Sequence, residues 1–109
     1  MKQAWKDLGN DDFQRGFTEK EGRLLLDVRT PEEFVVSHIA GARQLAVQEL
    51  EPRVGELKEY RDKPVFVYCR SGARSRKAAA ILADAGFTEI YNLDTGIIGW
   101  ESAGFPTEK

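Results

Sequence analysis

The chain has 109 residues and a formal net charge of -2, with 16 Lys and Arg against 18 Asp and Glu and a pI near 5.5, a balance that argues against general nucleic-acid binding. One cysteine and one histidine exclude an internal disulfide and a zinc site of ordinary ligand count. The length suits one domain over residues 1–109, no apolar run is long enough to cross a membrane, and "MKQAWKDLGN" lacks the apolar core of a signal peptide, so a free thiol in a reducing cytoplasm is the expected setting.

In chain order, "QAWKDLG" reads as a short first strand. Asn10-Asp11-Asp12 then starts a helix with Phe13 and Phe17 on one face, closed by Glu21-Gly22. "RLLLDV" is a short continuous apolar run, as in a strand buried on both faces. In "TPEEF", Thr30 can cap a helix, Pro31 suits its first turn and Glu33 completes a capping box, with the helix expected to end near His38. "ARQLAV" reads as another strand. A helix within Gln48–Tyr60 would put Leu50, Val54 and Leu57 on one face, although Gly55 weakens it. Its acidic residues between Glu49 and Glu59 read as a solvated face.

Pro64 opens "VFVYC", a second doubly buried strand. Ser75 to Ala85 then has the helical spacing of Ala78, Ile81, Leu82 and Ala85, with Gly86 as its stop. "EIYNL" is the last strand and "TGIIGWESAG" a terminal turn or short helix. Strands that alternate with helices imply an α/β domain: a central, mostly parallel five-stranded sheet with helices on both faces.

This order puts Cys69 at the carboxyl end of a buried parallel strand, the edge at which open α/β sheets bind ligands. The loop "CRSGAR" leads into a helix N-terminus, where free N–H groups favour an anion. A thiol there is biased toward thiolate, below the free value of about 8.5. Arg70 and Arg74 add positive charge, and Gly72 and Ala73 leave room for inward-turned N–H groups around the sulfur. A lone cysteine after "VFVY" is by itself compatible with simple packing. A packing cysteine, however, needs neither two nearby arginines nor a glycine-bearing turn.

With "LLLDVRTPEEF", "SHIAGA", "VFVYCRSGARS" and "NLDTGIIGWESAGFP" in this order, nearly the whole chain resembles a single-domain rhodanese, a sulfurtransferase. The resemblance implies that Cys69 carries sulfur as a persulfide and that Arg70, Ser71, Gly72, Ala73 and Arg74 complete the loop that binds the substrate. It implies a small anionic sulfur donor such as thiosulfate, a thiol or cyanide acceptor, a possible protein donor or acceptor, and no cofactor or metal. The alternatives are a persulfide carrier in a protein-to-protein sulfur relay and a non-catalytic rhodanese-like binding module, against which the intact cysteine loop argues. Two departures bear on turns outside the loop. The family often has Gly-His-Ile-Pro-Gly-Ala where this chain has Ser37 to Ala42, and two adjacent glycines where it has Thr95-Gly96. Rhodanese-like phosphatases place five residues between cysteine and arginine. Here four residues precede Arg74 and Ser75 occupies the phosphatase position, so the loop suits one sulfur or a small anion better than a phosphoryl group.

Supporting residues have open alternatives. Asp27 and Arg29 follow a strand that ends on the same edge as Cys69. Asp27 could anchor Arg74 or cap loop N–H groups; Arg29 could line the pocket rim or form a surface ion pair. The Ser71 and Ser75 hydroxyls could serve the sulfur, and Ser75 could equally cap the helix. Arg76 and Lys77 are expected to face solvent, and Trp100 and Phe105 to form core or pocket wall. His38 is expected to be structural, because the two leaving groups of sulfur transfer are stable anions and require no general base.

Overall fold

The computed structural model describes residues 4–109, so Met1 to Gln3, including the first residue of the expected strand "QAWKDLG", lie outside it. The elements are β1 (Lys6–Leu8), α1 (Asn10–Glu19), β2 (Leu24–Asp27), α2 (Pro31–Val36), β3 (Arg43–Gln44) and α3 (Val47–Arg53). A 3-10 segment, Val54–Tyr60, follows, and then β4 (Pro64–Tyr68), α4 (Ala73–Asp84), β5 (Glu89–Leu93) and α5 (Gly96–Ser102). The strands form one sheet in the order β1-β5-β4-β2-β3, and every neighbouring pair is parallel. The expected α/β class and five-stranded sheet are present.

The doubly apolar strands are central because each face of the sheet carries its own core. One face packs Leu24, Leu26, Val65, Val67 and Cys69 under Leu50, Leu57, Ala78 and Leu82 of the α3 and α4 side. The other packs Leu25, Phe66, Tyr68 and Leu93 against Phe13 of α1 and Ile97 and Trp100 of α5. Removing such surface from water is the main favourable term in folding. Phe13 is fully buried, and Phe17 meets it edge-on at 5.7 Å between ring centres. Among the described residues, no helix is long and apolar enough to cross a membrane.

Several boundaries differ from the sequence reading for local physical reasons. Only Arg43 and Gln44 of "ARQLAV" pair with β2, because the chain turns into α3 at Val47. α3 ends at Arg53, just after Pro52, and the segment containing Gly55 tightens to 3-10 geometry, with Leu50 and Leu57 still buried. α2 stops at Val36; its expected capping box is present, with Thr30 Oγ1 accepting from the Glu33 N–H and Glu33 Oε1 accepting from the Thr30 N–H. α4 begins at Ala73, two residues before the expected start, because Gly72 takes up the cap position at φ +104°, a left-handed conformation that suits glycine. The buried face of α4 is Ser75, Ala78, Ala79 and Leu82, while Ile81 and Ala85 are only partly buried.

Candidate active site

β4 ends at Tyr68, and the next residue, Cys69, leaves the sheet at its carboxyl edge. The Cys69 side chain is 1% exposed, so its sulfur lies at the floor of the loop that leads to Gly72. The Gly72 N–H donates to Sγ at 3.0 Å. Burial alone would push the thiol pKa up. The Ser75 hydroxyl and the N–H groups of Ser75, Gly72 and Ser71 outweigh that cost by favouring the anion, and the pKa is lowered. The Ser75 hydroxyl donates to the Gly72 carbonyl at 3.1 Å. The same hydroxyl lies close enough to the Cys69 sulfur to favour its anion. Ser75 is not the helix cap: Gly72 holds that position without a side-chain cap bond, and Ser75 lies within the first turn of α4 with its hydroxyl as donor.

The loop is held from its other side by α5. The Cys69 carbonyl accepts from the Ile97 N–H at 2.9 Å, and the Arg70 carbonyl accepts from the Ile98 N–H at 3.1 Å. Gly96 makes this approach possible: its φ is +66°, and a Cβ there would meet the Arg70 carbonyl oxygen at 2.2 Å. Thr95 has an ordinary right-handed backbone, so the first position of the expected glycine pair accepts threonine, whose hydroxyl donates to Asn10 Oδ1 at 2.6 Å. Sequence reasoning did not assign the support that Gly96, Ile97 and Ile98 give to the loop. The one signal that pointed there was the glycine retained at position 96.

Of the two readings of Asp27, anchoring Arg74 is not the one found: Asp27 and Arg74 belong to two separate ion pairs. Asp27, fully buried, binds Arg29, with Arg29 Nη2 at 2.7 Å from Oδ2 and Arg29 Nε at 3.0 Å from Oδ1. Arg29 is 4% exposed and also donates to the Ser37 carbonyl at 2.6 Å, so its guanidinium is a buried strut between β2 and the segment after α2, not a surface ion pair. It lies 5.7 Å from the centre of the Tyr68 ring, and the Tyr68 hydroxyl accepts from the Ile39 N–H at 3.1 Å. Arg74 instead forms a two-pronged contact with Glu33 of α2, Nη1 to Oε1 at 2.7 Å and Nη2 to Oε2 at 2.9 Å. That contact, together with the Thr30 hydrogen bonds, holds the Glu33 carboxyl at about 2. Glu33 was assigned only to the helix cap from the sequence, and its reach to the loop was missed.

Arg70 and Ser71 are exposed at the loop mouth, and Ala73 lies exposed at the start of α4. Among the described residues, Arg70 makes no side-chain hydrogen bond or ion pair. Arg76 and Lys77 face solvent, with Arg76 3.7 Å from Asp94. His38 stacks on Phe34, places Nδ1 2.9 Å from the Phe34 carbonyl and Nε2 3.3 Å from Glu108, and thus braces α2 against the C-terminal segment. Trp100 is core, and Phe105 packs beside it. Among the described residues, no group of three or more His, Cys, Asp or Glu converges as metal ligands would.

Residues 9–103 match the family described as "Rhodanese-like domain". "Uncharacterized protein YqhL" of Bacillus subtilis is 41% identical over 100 residues, spanning 92% of this chain and 75% of its own length. A "Sulfurtransferase" of Allochromatium vinosum is 37% identical over 92% of each chain. "Thiosulfate sulfurtransferase GlpE" of Ectopseudomonas mendocina is 39% identical over 80% of this chain and 77% of its own. Among solved structures, a rhodanese-related protein from Thermoplasma volcanium superposes with a TM-score of 0.82 at 27% identity, covering 95% of this chain and 98% of its own.

Proposed function

The chain belongs to the rhodanese-like domain family, and on that premise we propose that it is a single-domain sulfurtransferase whose Cys69 takes sulfur from thiosulfate or another sulfane-sulfur donor. Relatives named sulfurtransferase and thiosulfate sulfurtransferase support sulfur transfer at the family level. The observation that carries the assignment to Cys69 is the aim of the Gly72 N–H at its sulfur, at the carboxyl edge of the sheet. That arrangement favours a thiolate and would receive a persulfide without a general base.

In the first step the Cys69 thiolate attacks the outer sulfur of thiosulfate. A sulfur–sulfur bond forms to Cys69, the sulfur–sulfur bond of thiosulfate breaks, and sulfite leaves with its electron pair. The resulting persulfide is an anion beside the N–H groups that favoured the thiolate. In the second step cyanide or a thiolate attacks the terminal sulfur and Cys69 departs as thiolate, so ping-pong kinetics are expected. The low exposure of Cys69 favours donors that present a terminal sulfur end-on. Arg70, at the mouth, is the group proposed to hold the sulfonate end, because a guanidinium offers several fixed donors to oxygen. Asp27, Arg29 and Ser75 support the loop from behind.

Mass spectrometry of the intact protein tests this reading. Thiosulfate is expected to add one sulfur atom, which cyanide or a small thiol removes, and Cys69→Ser is expected to abolish both events. Substantial turnover by that variant would overturn the covalent mechanism. Slow thiosulfate turnover beside fast transfer from an organic persulfide would instead identify a carrier in a protein-to-protein sulfur relay.

A further inference from the structure

We propose that Glu33 sets the oxyanion affinity of the Cys69 loop by withholding the Arg74 guanidinium from it. The inference rests on the proposal that this loop receives an anionic donor, and it assigns to Glu33 the role of a positioning residue that tunes specificity.

The loop carries two arginines but presents them differently. Arg70 is exposed at the mouth without a side-chain partner among the described residues. Arg74 is tied by both terminal nitrogens to both oxygens of one carboxylate. That carboxylate is set in place from its own helix: Glu33 Oε1 also accepts from the Thr30 N–H at 3.0 Å and the Thr30 hydroxyl at 3.2 Å. The capping box therefore orients Glu33 independently of Arg74, and Arg74 docks onto an acceptor already in position. The pair is only partly covered, with Arg74 33% and Glu33 27% exposed in their side chains. Arg74 also lies within electrostatic reach of Cys69. A freed guanidinium, partly exposed, would have a negative centre to turn toward.

The consequence concerns discrimination. Sulfate and phosphate have oxygens all round and would use a second guanidinium well. A donor that delivers a terminal sulfur to the N–H cradle needs only its far end held. By neutralising Arg74, Glu33 leaves Arg70 and the N–H groups as the anion site and lowers competition from oxyanions that carry no transferable sulfur.

The test is Glu33→Gln. Glutamine keeps an oxygen for the Thr30 N–H, so the helix cap survives, while the charge that holds Arg74 is removed. The readouts are inhibition of thiosulfate turnover by sulfate at constant ionic strength, KM for thiosulfate, and sulfate protection of Cys69 against iodoacetamide. Sulfate inhibition and protection are expected to tighten about three- to tenfold, the weight of one partly exposed charge contact. KM is expected to fall with them, and the pH midpoint of Cys69 alkylation to move down. Adding Arg74→Ala should reverse all of these changes. Glu33→Asp, with a shorter reach, should give a smaller change in the same direction, and it serves if the glutamine variant does not fold. Thr30→Ala, which weakens the cap and keeps the Glu33 charge, should lower stability and leave sulfate inhibition unchanged. Unchanged sulfate affinity and alkylation midpoint in folded Glu33→Gln would overturn the proposal, as would a fall in kcat alone, which describes a simple brace. If the wild-type chain takes no sulfur from thiosulfate, the thiosulfate-donor reading fails, while sulfate protection of Cys69 still decides the role of Glu33.

Discussion

Replacing Arg29 by methionine probes the buried strut between the end of β2 and the segment after α2. The substitution keeps much of the side-chain volume but leaves the Asp27 carboxylate in a site with no solvent access. It removes the donors from Nε and Nη2 to Asp27 and the 2.6 Å bond to the Ser37 carbonyl. Breaking one side of a buried ion pair costs about 3–5 kcal/mol, against a total stability of about 5–15 kcal/mol for a domain. With a urea dependence of about 2 kcal/mol per molar, the midpoint should fall by roughly 2 M. Fluorescence of the fully buried Trp100 would follow the transition. The double variant Asp27→Asn/Arg29→Met removes both charges and keeps an oxygen for the residue-29 N–H, which Asp27 Oδ1 now accepts at 3.0 Å. It should therefore be more stable than Arg29→Met alone. A single-variant loss below about 1 kcal/mol, or a double variant as unstable as the sum of the two singles, would refute the account of a charge-paired strut.

Gly96→Ala places a Cβ against the Arg70 carbonyl in a left-handed backbone, so it should cost about 1–3 kcal/mol and slow sulfur uptake by displacing the loop. Gly41→Ala, at φ +87° with no atom within 4 Å of the added carbon, is the control for strain without collision; urea titration and uptake rates compare the two. Alkylation of Cys69 should rise with pH through a midpoint below the free-thiol value of about 8.5, because the N–H groups and the Ser75 hydroxyl favour the anion; a midpoint at or above that value would contradict the cradle. Arg70→Ala should lower kcat/KM for thiosulfate by roughly ten- to a hundredfold and change transfer from an uncharged organic persulfide much less; equal losses with both donors would assign Arg70 to loop support.

The legible parts of the fold were those in which local pattern and tertiary environment agree. β2 and β4 are apolar on both sides because helices cover both faces, so a continuous run such as "VFVY" announces its own burial. The Thr30–Glu33 cap is a contact over three residues and can be read from spacing alone. The pairing among Asp27, Arg29, Glu33 and Arg74 could not be read in the same way. All four residues end up near the loop, and sequence order does not say which carboxylate meets which guanidinium. One clue was available: an Asp side chain readily accepts from the N–H two residues on, as Asp27 does from Arg29, which favours their pairing over one between Asp27 and a residue on α4. The contact between Glu33 and Arg74 spans 41 positions and depends on how α2 sits beside the loop, which no local pattern records.

The strand order gives a physical reason for the loop's position. After β2 the chain moves outward to β3, and after β4 it moves the opposite way to β5, so the connections diverge between the two adjacent strands. At that divergence the N-terminus of α4 is left free at the carboxyl edge. The segment after β2 supplies the Asp27–Arg29 strut on one side, and the segment after β5 supplies Gly96 and the Ile97 and Ile98 N–H groups on the other. The carbonyls of Cys69 and Arg70 are thereby satisfied by α5, which leaves the loop's own N–H groups free to turn toward the sulfur. A loop with its carbonyls bound outward and its N–H groups aimed inward is electropositive at its centre without any charged side chain there. Its arginines can then serve separate ends, with Arg70 outward at the mouth and Arg74 on Glu33. The lowered pKa of the Cys69 thiol thus follows from the Ser75 hydroxyl and the backbone N–H groups of Ser75, Gly72 and Ser71, and charge on the side chains adjusts which anions can share the site.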